Sequence, residues 1–139
     1  MADVIFEDNT IKVQNAIDNK INIVLEECAG EVESQVKRNY DTSKRVDTGD
    51  TKNSFRHVVD KLLHEATVGS EEQNALWEEF GTGEFALKDN GRKGGWNYKD
   101  SAGNWHFTKG KTPGRHLWKA FSSLKTKIIN HIKNEFKGL

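Results

Sequence analysis

The feature that most constrains the fold is a stripe of apolar residues spaced by three or four between Thr10 and Tyr40. Its members are Ile17, Ile21, Val24, Cys28, Val32 and Val36. This spacing predicts one amphipathic helix of about thirty residues, roughly 45 Å long at 1.5 Å per residue. A chain of 139 residues is too small to cover such a helix completely. We therefore expect part of the helix to contact another molecule.

The rest of the chain predicts two hairpins, a short helix and a second long helix. Apolar and polar residues alternate over residues 54–69, which predicts a β-hairpin, and Trp96-Asn97-Tyr98 with Trp105-His106-Phe107 predicts another. A short helix is expected from Glu71 to Phe80 and a C-terminal helix after Pro113, with an apolar stripe at Leu117, Phe121, Leu124, Ile128, Ile132 and Phe136. The predicted fold class is α+β: a small antiparallel sheet of two hairpins packed with long N-terminal and C-terminal helices and one short helix.

The length predicts a single domain over residues 1–139, with a distinct segment inside it. Residues 84–112 form a glycine-flanked aromatic hairpin, which we predict to be a mobile arm that becomes ordered on assembly. We expect Trp96, Tyr98, Trp105 and Phe107 to share one face as cross-strand aromatic pairs. Three roles stay open for this hairpin: a core ladder, an arm that docks on a partner, or a stacking platform for single-stranded nucleic acid.

Charge is divided unevenly along the chain, although the formal net charge is zero. Residues 1–83 carry nine Lys/Arg and seventeen Asp/Glu, a formal charge of −8, and residues 84–139 carry twelve and four, a formal charge of +8. The two halves could attract each other between copies, in a heterologous interface that closes into a ring. They could equally neutralise each other within one subunit.

Composition and hydropathy bear on the compartment and on partners. No apolar run approaches the roughly 18 residues that span a bilayer, and no secretory leader pattern follows Met1. The single cysteine, Cys28, excludes an internal disulfide and is typical of a reducing cytoplasm. Hydrophobic content of 35% with a mean hydropathy of −0.78 indicates either a thin core or apolar surface kept for partners.

Three short blocks are rich in residues that set backbone shape. They are Val46-Asp47-Thr48-Gly49 followed by Asn53-Ser54, Trp77 to Gly83, and Gly94 to Gly110. Asp47, Thr48 and Gly49 predict a structural turn, because Asp and Thr bond their own backbone and glycine tolerates positive φ. Glu79 is either a carboxylate at the rim of an interface or a buried acceptor for backbone N–H groups. Gly81 and Gly83 permit a sharp turn or a close approach of another backbone.

Taken in order, these blocks resemble the HK97 gp10-like proteins of tailed bacteriophages and prophages, which are small head–tail connector or tail-completion components. The similar region runs from about Val46 to Phe121, and its most specific part is the Glu-Phe-Gly-Thr-Gly sequence that ends at Gly83. Pro113 and Ala120 match the start of the family's last helix. The family often has Pro-Phe-Leu there, whereas this chain has Pro-Gly-Arg-His-Leu, and we expect Trp118 to supply the missing aromatic ring.

The resemblance implies a structural component of the virion that joins head and tail or completes the head-proximal end of the tail, as a ring. Its implied partners are copies of itself, other phage neck or tail proteins, and DNA that passes through the opening without specific binding. No membrane and no cofactor is implied, and assembly would take place in the cytoplasm of the bacterial host. The candidate assembly contacts are Trp77, Glu79, Phe80, Gly81, Gly83, Trp96, Tyr98, Trp105 and Phe107.

Enzymatic patterns are weak throughout the sequence, so we expect no catalytic, cofactor or metal site. Five histidines (His57, His64, His106, His116 and His131) form no His-Glu-x-x-His pattern, and cysteines are not paired. Glu78 and Glu79 are adjacent, so on a helix they point about 100° apart and cannot act as a carboxylate pair. The main competing hypothesis is a nucleic-acid-binding module in the basic, aromatic C-terminal half. A metal-dependent hydrolase is a third, weaker one.

Overall fold

The structure, a computed structural model, describes residues 3–46 and 49–138. The elements in chain order are α1 (Thr10–Ser43), α2 (Asp50–Ser54), β1 (Arg56–Asp60), β2 (Glu65–Gly69), α3 (Gln73–Phe80), β3 (Trp96–Lys99), β4 (Trp105–Thr108) and α4 (His116–Glu135), with a 3-10 turn at Gly83–Phe85. The α+β fold class is confirmed. The two hairpins form separate two-stranded antiparallel sheets, and the short helix α2 and the 3-10 turn were not predicted.

Helices α1 and α4 pack side by side in opposite directions. The Asn39 side-chain amide near the end of α1 donates to the carbonyl of His116 at the start of α4, at 3.0 Å. At the other end, Lys20 lies 3.8 Å from Glu135. The core lies where the second half of α1 meets α4, α3 and the first hairpin. It consists of Val32, Val36, Tyr40, Phe55, Ala75, Ala120 and Leu124.

The first hairpin packs its inner face on α1. In its register His57 is opposite Val68 and Val59 is opposite Ala66, so these four share one face. The predicted alternation over residues 54–69 is therefore confirmed.

The first part of α1 extends beyond the domain. Residues 3–19 are all exposed, and the first buried residue of the helix is Val24. Ile11 is 74% exposed and Val13 is 53% exposed. The prediction that the domain cannot cover the whole helix is confirmed for this part, whereas its contact with another molecule stays a prediction. Among the described residues, no helix combines the length and the apolar character needed to cross a membrane.

Candidate functional site

Residues that flank the first and third sequence blocks meet the second block around the buried carboxylate of Glu78, which is 1% exposed. Arg45, just after α1, places Nη1 3.2 Å from Oε2 of Glu78, and the Lys111 ammonium contacts Oε1. Arg45 also donates to the carbonyl oxygen of Thr112 at 2.8 Å. Burial alone would raise the pKa of Glu78, but Lys111 and Arg45 outweigh that effect and hold the pKa below its usual value. This ionic centre fastens the end of α1, helix α3 and the segment after the second hairpin to one another.

Glu79 holds the first turn of α4. Its carboxylate is 8% exposed and accepts the backbone N–H groups of Leu117 and Trp118, each at 3.0 Å. The first N–H groups of a helix have no partner inside the helix, and the helix dipole favours a negative charge beside them. Glu79 is therefore the buried acceptor of the two predicted alternatives. Its carboxylate oxygens already accept hydrogen bonds within the chain, and direct contact of Glu79 with an assembly partner stays a prediction.

His116, not Trp118, fills the aromatic position at the start of α4. Its ring is 3% exposed, with its centroid 4.0 Å from that of Tyr40, whereas Trp118 is 56% exposed. The prediction for Trp118 is wrong. Burial lowers the pKa of His116, although Glu78, with Oε2 3.4 Å from Nε2, opposes that effect. The backbone explains the exchange: Arg115 has φ +58°, so the chain turns immediately before the helix and directs residue 116 inward.

The glycines of the Glu-Phe-Gly-Thr-Gly sequence allow two backbone segments to touch. The N–H of Thr82 donates to the carbonyl of Lys111, and the N–H of Glu84 donates to that of Lys109, both at 2.9 Å. A Cβ on Gly83 would overlap the Lys109 carbonyl oxygen, and φ is +61° there. Gly81 has φ +76°, and a Cβ there would lie 2.8 Å from the Lys111 carbonyl oxygen. The predicted close approach is thus made within the chain, and it fixes the base of the second hairpin.

The second hairpin does not place its four aromatic rings on one face. Trp96 is opposite Thr108, Tyr98 is opposite His106, Asn97 is opposite Phe107 and Lys99 is opposite Trp105. Directly opposite residues share a face and neighbours along a strand alternate, so Trp96 and Tyr98 lie on one side and Trp105 and Phe107 on the other. The predicted shared face is wrong, because the length of the turn sets a register one residue away from the one that would unite them.

A groove of about 810 Å³ separates the Trp96 side of this hairpin from α3. Trp77 (46% exposed) and Tyr98 (44% exposed) line it together with half-buried Trp96, and Arg45, Arg92 and Lys111 add positive charge. The Arg92 guanidinium lies 5.7 Å from the Trp96 ring centroid. On the far side of the hairpin Trp105 is 70% exposed and Phe107 is 61% exposed, with the Lys99 ammonium 6.0 Å from the Trp105 ring. The hairpin is therefore not a core ladder.

Four predicted residues remain to be placed: Phe80 and the turn residues Asp47, Thr48 and Gly49. Phe80, at the end of α3, is half-buried between the cations of Lys88 and Arg115, each 5.5 Å from its ring. Of the predicted turn, Gly49 has φ +88° and directly precedes α2, whereas Asp47 and Thr48 lie outside the described residues.

The histidines lie apart from one another, beside carboxylates. His57 lies between Glu26 and Glu33 of α1, with Nε2 2.5 Å from Glu26, and this hydrogen bond raises its pKa. His64 pairs with Asp18, His106 with Asp100, and His131 with Glu27. Within residues 3–46 and 49–138, no group of three or more His, Cys, Asp or Glu side chains could hold a metal ion.

Sequence reasoning missed Arg45 and the ionic role of Glu78. Their ion pair joins residues 33 positions apart, so no local sequence period predicts it. The available signal was two adjacent carboxylates at the end of a short helix that a glycine terminates, where one side chain must point inward.

Comparisons of the chain with protein-family models, with curated proteins and with solved structures found no match. The resemblance to the phage connector family thus depends on the motif residues quoted above.

Proposed function

We propose that this chain is a structural component of a tailed bacteriophage or prophage, without enzymatic activity, which joins head and tail or completes the head-proximal end of the tail as a ring. The observation that carries the proposal is a base from which large aromatic side chains project into solvent. This base includes the ionic centre around Glu78 and the close backbone contacts at Gly81 and Gly83. The family resemblance selects the phage setting, because its motif residues Glu79, Gly81 and Gly83 form part of this base.

The exposed rings favour binding to a partner over chemistry. Trp77, Tyr98, Trp105 and Phe107 are each between 44% and 70% exposed. Exposed apolar patches of this kind mark interaction sites, and aromatic residues dominate the energetics of protein interfaces. Beneath them the charged groups of Glu78 and Glu79 are already bound by the chain's own donors. The site therefore offers contact area and shape, and it holds no acid, base or nucleophile directed at a substrate.

The proposal includes the partners that the resemblance implies. Copies of the chain form the ring, other neck or tail proteins dock on it, and DNA passes through the opening without specific binding. The protein would then reside in the virion after assembly in the host cytoplasm.

Particle assembly in the infected or induced host tests the proposal. We expect deletion of the gene to leave filled heads and free tails in electron micrographs, and a plasmid copy of the wild-type gene to restore joined particles. A copy with Trp105→Ser and Phe107→Ser should not restore them. Leu62→Ser, a change at a side chain that is 92% exposed at the first hairpin turn, is the matched control and should restore them. Normal infectious particles from the deletion host would refute the proposal.

A nucleic-acid-binding module is the second candidate, favoured by the face that carries Trp105, Phe107 and Lys99. Aromatic rings beside a cation suit stacking of single-stranded bases. This alternative predicts micromolar binding of short single strands with a steep dependence on salt. Binding should be lost in Trp105→Ala and kept in Trp96→Ala, because Trp96 lies on the opposite face. Absence of binding at low salt would exclude it.

A further inference from the structure

Two exposed features have no assigned role: the segment of residues 3–8 before α1, and the groove between α3 and the second hairpin. We infer that residues 3–8 of one copy bind in this groove on a neighbouring copy. The inference rests on the self-association in the proposed function and names the two surfaces that form each joint.

The segment has the composition of a docking peptide. Val4, Ile5 and Phe6 are 80%, 88% and 94% exposed. Three apolar side chains in succession, left in water, are a site where burial would stabilise a complex. Asp3 and Glu7 flank them on either side with negative charge.

The groove has the complementary chemistry. Its apolar surface comes from Trp77, Trp96 and Tyr98, and its volume of about 810 Å³ is in the usual range for a bound apolar ligand. Arg92 lies at the Trp96 end. Arg45 and Lys111 line the groove as well, and the single buried carboxylate of Glu78 neutralises only one of these charges. An apolar segment between acidic residues therefore matches an aromatic groove with a cationic edge.

The segment cannot reach the groove of its own chain. Helix α1 has 34 residues, which makes it about 51 Å long. The groove lies beside Arg45, just after the end of α1, whereas the segment precedes its beginning. The seven residues 3–9 span at most about 25 Å when fully extended. Binding must therefore take place between copies, head to tail, which is the heterologous geometry that closes into a ring or continues into a filament.

Sedimentation velocity of the full chain over a concentration series tests the inference. We expect wild type and Leu62→Ser to associate equally. Phe6→Ser removes one large apolar side chain from the joint and should weaken association about 10- to 100-fold. Trp96→Ala should have a similar effect, with circular dichroism as the check that it folds.

Mixing these two variants gives the sharpest outcome. Phe6→Ser keeps an intact groove and Trp96→Ala keeps an intact segment, so a mixture can form one intact joint and should yield 1:1 dimers without rings. Charge reversal gives a second route: Arg92→Glu should weaken association, and adding Glu7→Lys should restore it.

Association of Phe6→Ser that equals that of Leu62→Ser would overturn the docking inference and leave the proposed function intact. A wild-type chain that remains monomeric at the highest concentration would also overturn the docking inference. The proposed function is judged separately, by the particles formed in the host.

Discussion

Replacement of Glu79 tests whether the Glu-Phe-Gly-Thr-Gly sequence acts as a frame or as a contact surface. Glu79→Ala removes two hydrogen bonds from a carboxylate that is only 8% exposed. Hydrogen bonds to charged groups contribute about 1.5–3 kcal/mol each, and loss of a neutral N-cap costs about 1 kcal/mol. Since solvent can partly replace a partner at a helix terminus, we expect a loss of about 3 kcal/mol. Glu79→Gln keeps one acceptor and should cost about 1.5 kcal/mol.

Urea unfolding followed by circular dichroism measures these losses. With an unfolding entropy of about 2.1 cal/mol/K per residue, the melting temperature should fall by about 10 °C for Glu79→Ala and about 5 °C for Glu79→Gln. Glu71→Ala is the control, because that side chain is 87% exposed in a surface pair with Arg56 and should change stability by less than about 0.5 kcal/mol. Glu79 variants that are as stable as this control but defective in particle assembly would refute the frame interpretation. They would support the alternative in which Glu79 is a carboxylate at the rim of an interface.

Three further predictions test other parts of the molecule. Gly83→Ala should cost about 3 kcal/mol in urea unfolding, because the new Cβ meets a backbone carbonyl at positive φ, whereas Gly69→Ala, with nothing within 4 Å of the new Cβ, should be nearly neutral. The Glu26 carboxylate raises the pKa of His57, so the folded chain binds that proton more tightly than the unfolded chain. This stabilisation is complete below the pKa of the unfolded chain, about 6.5, and is lost as pH rises through the raised pKa of the folded chain. NMR titration of the imidazole should show the upward shift of the pKa. His57→Gln should remove this pH dependence of stability. Amides of residues 11–19 should exchange faster than those of the core part of the same helix and become protected on assembly, because a helix of about ten residues without packing is marginal.

Local patterns predicted the elements of the fold because local physics sets them. The stripe from Val24 to Val36 is buried as the helical period requires, and the alternation at His57 and Val59 gives the first hairpin. The helix ends were less accurate. The predicted short helix from Glu71 begins at Gln73, because the backbone of Glu72 is still extended, with φ −72° and ψ 129°.

The candidate site was less predictable because it depends on distances that no local period encodes. Trp96 and Trp105 were assigned to one face, but a shift of one residue in the register of a hairpin moves every side chain to the opposite face. His116 was named only among histidines that form no metal pattern, and Trp118 was expected to supply the aromatic ring at the start of α4. Positive φ at Arg115 decides between them, and a sequence does not show which non-glycine residue will adopt it.

The division of charge along the chain has a different meaning once the fold is known. Among the described residues, four ion pairs between Lys or Arg and Asp or Glu join residues 1–83 to residues 84–139: Lys20–Glu135, Glu31–Lys127, Glu78–Lys111 and Glu79–Arg115. Two histidine–carboxylate contacts, Glu27–His131 and Glu78–His116, join them as well. The two halves therefore neutralise each other in part along α1 and α4 and at the ionic centre, and the full difference is not available for contacts between copies. What remains for such contacts is the apolar area of the groove, the second hairpin and residues 3–8. Charge beside these surfaces would then select the orientation and speed of encounter, while burial of aromatic and aliphatic side chains supplies most of the affinity.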